Sequence, residues 1–451
     1  MPFPHNFLWG VATSSYQIEG AVDVDGRGPS IWDTFSHTPG ATENGETGDV
    51  ACDHYRRWAD DVELMTDLGL RAYRFSIAWP RIVPEGSGRV EQRGLDFYSR
   101  LVDRLLERGI TPVPTLYHWD LPQALQDRYG GWTSRETALR FAEYADVVFR
   151  ALGDRVSMWI TLNEPWVAAF IGYWLGVHAP GIRDLGAAVS ASHNLLVGHG
   201  LALQAYRARQ ATGQIGITLN LQPAYPATDS DADRAAARLS DGYTDRWFLD
   251  PVFGRGYPAD MVALYADHGV DTSFAGEEDM RLISGGIDFL GVNYYTRRIV
   301  ATGDEELAWT IVREPEDAER TDFDWVVIPE ALDDLFARLR NDYPSLPIYV
   351  TENGAAYRDV IGPDGAVDDR QRISFLERHI AAAERAIAEG TDLRGYLVWS
   401  LLDNFEWAAG YWPRFGIVYV DFGTQRRVPK ASAHWYRDWI ASHEAAQPPS
   451  P

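Results

Sequence analysis

Ile348-Tyr349-Val350-Thr351-Glu352-Asn353-Gly354 is a short apolar, β-branched run that stops at a carboxylate followed by a turn-forming Asn-Gly pair. The pattern predicts a buried strand carrying Glu352 at its tip. Taken alone, a strand-end glutamate can as well be one that simply meets solvent. How often the chain repeats this arrangement decides between the two.

Seven further runs share the grammar. Residues 7–13, 70–79, 110–117, 156–162, 214–221, 287–295 and 395–400 are short and mostly apolar, with helical patterns between them. Trp58, Val62 and Met65 recur at i, i+4 and i+7 before Gly69, and Leu95, Tyr98, Val102 and Leu105 line a second face before Gly109. Phe141, Ala145, Val148 and Leu152 form a third face closed by Gly153, while Thr133 and Glu136 have capping-box spacing. Further helices are predicted over residues 190–211, 231–248, 329–341, 370–389 and 432–442.

Eight helix-then-strand periods predict an α/β fold. The expected architecture is a single (β/α)8 TIM barrel over residues 1–444, with loop insertions on its C-terminal face and a flexible tail over 445–451. Length alone would also allow about three domains. An open doubly wound sheet is the competing topology, but no Gly-rich phosphate fingerprint follows the first run. Residues 296–328 are charged and irregular, as suits an excursion over an active face.

Composition narrows the function classes. A formal net charge of -24 repels a polyanion at long range, which argues against nucleic acid and leaves a neutral or cationic small substrate. The 17 Trp exceed what a core needs, and aromatic faces stack on the apolar faces of sugars. Lys430 is the only lysine, a bias toward arginine rather than a device. The single cysteine, Cys52, rules out an intrachain disulfide and a cysteine zinc cluster, so no metal or cofactor is expected. No basic segment followed by a long apolar one opens the sequence, and no run is long enough to span a membrane. A cytoplasmic location with no membrane partner is the expectation, and a homo-oligomer stays open.

In a parallel barrel all strands present their C-terminal ends to one face, so residues distant in sequence converge there. Glu164 and Glu352 then share one mouth, from the fourth and seventh strands. Gln17, Arg74, His118, Asn163, Asn293, Tyr295, Trp399, Glu406 and Trp407 fall beside them. Alone, Gln17 reads as a loop hydrogen-bonder and His118 as structural, while Arg74 inside a strand pattern requires a partner. Together they offer acids, neutral hydrogen-bonding groups and aromatic platforms, which is what an uncharged polyhydroxyl ring needs.

These residues lie in motifs that run through nearly the whole chain: Phe7-Leu8-Trp9-Gly10, Ser15-Tyr16-Gln17-Ile18-Glu19-Gly20, Tyr73-Arg74-Phe75-Ser76, Tyr117-His118-Trp119-Asp120, Thr161-Leu162-Asn163-Glu164-Pro165, Asn293-Tyr294-Tyr295, Thr351-Glu352-Asn353-Gly354, Asp403-Asn404-Phe405-Glu406-Trp407 and Arg414-Phe415-Gly416. In this order they resemble the retaining β-glucosidases of glycoside hydrolase family 1. The resemblance implies that Glu352 is the nucleophile and Glu164 the general acid/base. It also implies that Arg74 keeps the nucleophile ionised, that Tyr295 orients it and that Asn293 supports it. Glu164 is expected to be held protonated by the charge of Glu352.

The same resemblance assigns substrate binding to Gln17, His118, Trp119, Asn163, Trp399, Glu406 and Trp407, with Asn163 toward the 2-hydroxyl and Trp399 as platform. For Trp119, core packing and sugar contact both stay open. Trp325 is similar to a tryptophan on the leaving-group side, but its setting, Asp322-Phe323-Asp324-Trp325, departs from the family's Met-Gly-Trp. Pro413 stands where many relatives have lysine.

The substrates implied are small β-glucosides: cellobiose, short cello-oligosaccharides and aryl β-glucosides. Galactosides or fucosides are side substrates, and a transglycosidase or a non-catalytic sugar-binding protein are the other readings. Retention of Glu406-Trp407 argues against phosphosugars, and a carboxylic acid at Glu164 argues for O-glycosides over thioglucosides.

Overall fold

The computed structural model describes residues 3–303 and 307–445. Eight parallel strands close on themselves: Leu8–Ala12, Ala72–Ser76, Thr111–Tyr117, Met158–Asn163, Gln214–Asn220, Phe289–Asn293, Ile348–Asn353 and Leu393–Trp399. Each pairs with its neighbours in sequence, and the eighth pairs with the first. The (β/α)8 barrel is therefore present, and its strands are read here as first to eighth. They are almost wholly buried because the barrel interior covers one face and the helices the other, which explains near-continuous apolar runs. Close packing is strict at Gly10, where a Cβ would lie 2.3 Å from the carbonyl oxygen of Ala72 on the adjacent strand.

The helices follow the apolar periodicity. Arg135–Leu152 buries Phe141, Ala145, Val148 and Leu152. Its cap differs from the expected box: Ser134 accepts from the Glu136 backbone N–H at 3.3 Å, while Thr133 belongs to the preceding turn and donates to Gly130. The helix expected over 231–248 is Asp231–Asp241, a widened turn Gly242–Arg246, and Trp247–Val252. The last helix, Ala431–Ala445, takes in the first residue of the expected tail, and residues 446–451 lie outside the described residues.

Three further corrections bear on the mouth of the barrel. The seventh strand does not halt at Glu352 but continues through Asn353, with a register shift between Val350 and Glu352. Gly354 does not supply a turn. A Cβ there would lie 1.8 Å from the carbonyl oxygen of Trp399, so close approach of two backbones excludes any side chain. The described residues of the excursion over 296–328, which leave out 304–306, are also more ordered than their composition implies. Arg298–Thr302 and Trp309–Ile311 pair and join Ala224–Pro226 in a three-stranded sheet beside the mouth. No helix among the described residues is long and apolar enough to cross a membrane.

Candidate active site

Arg74 is 1% exposed in the middle of the second strand, so its charge has to be matched by the neighbouring strands. It is. Its Nε donates to Thr115 Oγ1 (3.2 Å), Nη1 to Glu352 Oε1 (2.6 Å) and to the Thr351 carbonyl (3.1 Å), and Nη2 to Asn163 Oδ1 (2.5 Å). Asn293 Nδ2, at the end of the sixth strand, donates to the same Asn163 oxygen (3.1 Å) and to Glu164 Oε1 (2.7 Å). The hydroxyl of Tyr295 donates to Glu352 Oε2 at 2.7 Å. Glu352, Arg74, Asn163, Asn293 and Glu164 thus form one unbroken hydrogen-bonded chain around the barrel mouth.

The two carboxyls stand at opposite ends of that chain in different electrostatic settings. Burial raises Glu164 to about 8, and the charge of Glu352 adds to it, so desolvation is the larger cause and the neighbouring carboxylate the second. Burial raises Glu352 as well, but Arg74, Tyr295 and Asn293 all pull against it. The pair therefore keeps its proton on Glu164 and its charge on Glu352. Burial followed by the charge of Glu352 also lifts Glu406 to about 8.

The floor is completed by polar groups committed to one another. Gln17 accepts from Ser14 Oγ (2.6 Å) and donates to Asn404 Oδ1 and the Phe405 carbonyl (3.0 Å each) and to Glu406 (3.4 Å). Asn163 Nδ2 donates to His118 Nε2 at 3.1 Å, which leaves Nδ1 as the protonated nitrogen, buried and without a partner among the described residues. Burial and then Arg74 hold His118 well below its usual pKa, hence neutral. The rings of Trp399 and Trp407 lie 5.9 Å from that of His118, both nearly parallel to it. Trp119 is buried, its indole donates to the Asn163 carbonyl at 2.9 Å, and its ring lines the cleft 4.6 Å from Trp407.

Backbone conformation marks the same residues. Trp119 (φ 76), Glu164 (φ 47) and Trp407 (φ 54) occupy the left-handed region, which costs bulky residues about 1–3 kcal/mol each and persists only where the surroundings impose it. Behind the loop that carries Glu406 and Trp407 lies a buried ionic cluster. Lys430 donates to Asp403 (2.7 Å) and Asp359 (2.5 Å), Arg414 donates to Asp403 (2.7 Å), and Arg372 donates to Asp359 (2.7 Å). Asp403 also accepts from the Gly416 backbone at 3.0 Å, tying both ends of the loop together. The only lysine of the chain is thus a fully buried strut, not a surface residue. Pro413 is buried in the same loop, and nothing in the structure explains its presence.

The cleft above this floor encloses about 780 Å³. Trp325 lines it, with its ring 5.0 Å from Tyr295 and 4.8 Å from Phe323. Its outer wall also holds residues that the sequence reading missed: Trp166, Val167, Ile311, Arg297 and Arg298. Position after Asn-Glu-Pro could have flagged Trp166. The arginines carried no signal, since Arg297 precedes and Arg298 opens a strand of only five residues.

A family model described as Glycosyl hydrolase family 1 matches residues 1–445. The chain is 49% identical to "Beta-glucosidase A" of Acetivibrio thermocellus over 98% of both chains. It is 48% identical to the "Bifunctional beta-D-glucosidase/beta-D-fucosidase" of Bifidobacterium breve over 99% of each. The crystal structure of the GH1 beta-glucosidase from Exiguobacterium antarcticum superposes with a TM-score of 0.97 at 46% identity, covering 99% of this chain and 100% of that one. With a full-length family match, relatives near half identity and the same closed barrel, this chain belongs to glycosyl hydrolase family 1.

Proposed function

We propose that this protein is a retaining β-glucosidase formed by one barrel domain, with Glu352 as nucleophile and Glu164 as acid/base. One observation carries the division of roles. Arg74 and Tyr295 donate to the two oxygens of Glu352, whereas Glu164 receives a single neutral donor in a buried setting. In the first step a Glu352 oxygen bonds to the anomeric carbon, the bond to the leaving oxygen breaks, and Glu164 delivers its proton there. Esterification removes the charge of Glu352, which lowers the pKa of Glu164 and makes it a base. It then takes a proton from water as the water oxygen attacks the anomeric carbon and the ester bond breaks.

Gln17, His118, Asn163, Glu406 and Trp407 grip the sugar on this reading, Trp119 and Trp399 stack on it, and Trp325 meets the leaving group. Cellobiose, short cello-oligosaccharides and aryl β-glucosides are the substrates, and the fucosidase activity in one relative's name supports fucosides as side substrates. A cytoplasmic location fits a lone, buried Cys52.

Glu352→Gly tests the nucleophile. Hydrolysis falls by about 10⁵-fold, as when a nucleophile is removed from other covalent catalysts, and azide restores turnover with the α-glycosyl azide as product. A β-azide, or unimpaired hydrolysis, refutes the assignment.

A further inference from the structure

Arg298 opens the short strand beside the mouth and lines the cleft, half-buried. Its neighbours in the outer wall have their charges matched: Arg297 chelates Glu314 (2.7 and 3.2 Å), and Arg320 reaches Asp324 (3.4 Å). Arg298 has no such partner. Among the described residues its guanidinium makes one hydrogen bond, from Nη1 to Thr244 Oγ1 at 2.5 Å, and lies 5.3 Å above the ring of Trp166. Asp245 attracts it without a direct contact, that carboxylate being bonded instead by Arg338 (3.2 Å) and by the Gln222 backbone N–H (3.1 Å).

An arginine that no carboxylate contacts among the described residues, in a chain of net charge -24, keeps the edge of its guanidinium available to an anion. Burial pulls its pKa downward, against the attraction of Tyr243 and Asp245. An aromatic face can hold a guanidinium in place without using its hydrogen-bonding edge. Apolar side chains share the wall with these paired charges, Trp166, Val167, Ile311 and Trp325 facing the same cleft. A neutral sugar in this place would need neither the free charge nor so much apolar surface.

We propose that the outer half of the cleft is a leaving-group subsite for aromatic aglycones bearing a carboxylate, which Arg298 receives while the rings of Trp166 and Trp325 hold the aromatic body. The preferred substrates are β-glucosides of phenolic acids. This rests on the hydrolase reading and adds a substrate class to it.

The test pairs the β-glucoside of para-hydroxybenzoate with that of its methyl ester. The ester is the better leaving group, so chemistry alone favours it, and a preference for the acid reports the subsite. The acid-to-ester ratio of kcat/KM favours the acid in the wild type and falls about tenfold in Arg298→Gln, the worth of one charge-assisted pair. Arg298→Lys retains part of the preference, and added salt erodes it in the wild type. An unchanged ratio in Arg298→Gln, or equal losses on both substrates, overturns the proposal. Calorimetric titration of the same two glucosides into Glu352→Gln reads the preference without turnover. A binding preference without hydrolysis by the wild type sinks the hydrolase reading alone, and hydrolysis of the ester with no binding preference sinks this one alone.

Discussion

On the floor of the cleft Arg74 directs its guanidinium to four oxygens at 2.5–3.2 Å and is closed off from solvent. On the outer wall Arg298 makes one hydrogen bond and rests over an indole. The same side chain is a finished structural part in one place and an open valence in the other. The inner half is a network in which Gln17, Asn163 and Asn293 each serve two or more partners, so its geometry is fixed before substrate arrives. The outer half is a short sheet and exposed apolar side chains, Ile311 being 57% exposed.

Breaking the inner half at its acid has the largest effect. Glu164→Ala lowers kcat/KM for glucosides with poor leaving groups by about 10²–10⁴-fold, and spares the first step for nitrophenolates. The wild-type kcat/KM falls above about pH 8 as Glu164 loses its proton, and the share of that alkaline limb due to Glu164 is absent in the variant, leaving that of Glu406. Equal losses on good and poor leaving groups would contradict the role.

Gln17→Ala removes a hub bonded to Asn404, Phe405 and Glu406 and lowers kcat/KM for glucosides by about 10²-fold, by leaving buried groups unpaired. The loss is independent of the leaving group when a series of aryl glucosides is assayed. Ile311→Ser on the outer wall raises KM for aryl glucosides by about fivefold, because only part of its apolar surface is there to be covered. The glucoside-to-galactoside ratio stays fixed in that variant. If it moves, the two halves are not independent.

The smallest effect is on stability. The folded chain holds Glu406 at about 8, above the 4.5 of an ordinary glutamate, so its contribution is present below pH 4.5 and is lost as pH rises toward 8. Glu406→Gln imitates the protonated acid and removes this dependence. Its Tm, measured against the wild type, gains more at pH 9 than at pH 5.

The barrel was legible in the sequence because strands buried on both faces write continuous apolar runs, and Ile348–Asn353 is one of them. The inner site was legible because parallel strands must end together, which brings Asn163, Asn293, Glu352 and Trp399 to one face. What failed depended on contacts between distant backbones. Gly354 looked like a turn residue and is an absent side chain against Trp399, and no residue preference announces that Trp119, Glu164 and Trp407 will take positive φ. The cap at Ser134 was lost to a better-matched spacing at Thr133. The outer arginines were passed over because Arg297 and Arg298 stand at the start of a strand of five residues, too short to show a periodicity.

Lys430 has a consequence for handling the protein. The chain's one side-chain amine is enclosed by Asp403 and Asp359 under the active-site loop. Amine-directed dyes, cross-linkers and aldehyde supports therefore find no lysine on the native surface, and a labelling signal from Lys430 becomes a direct readout of that loop coming loose.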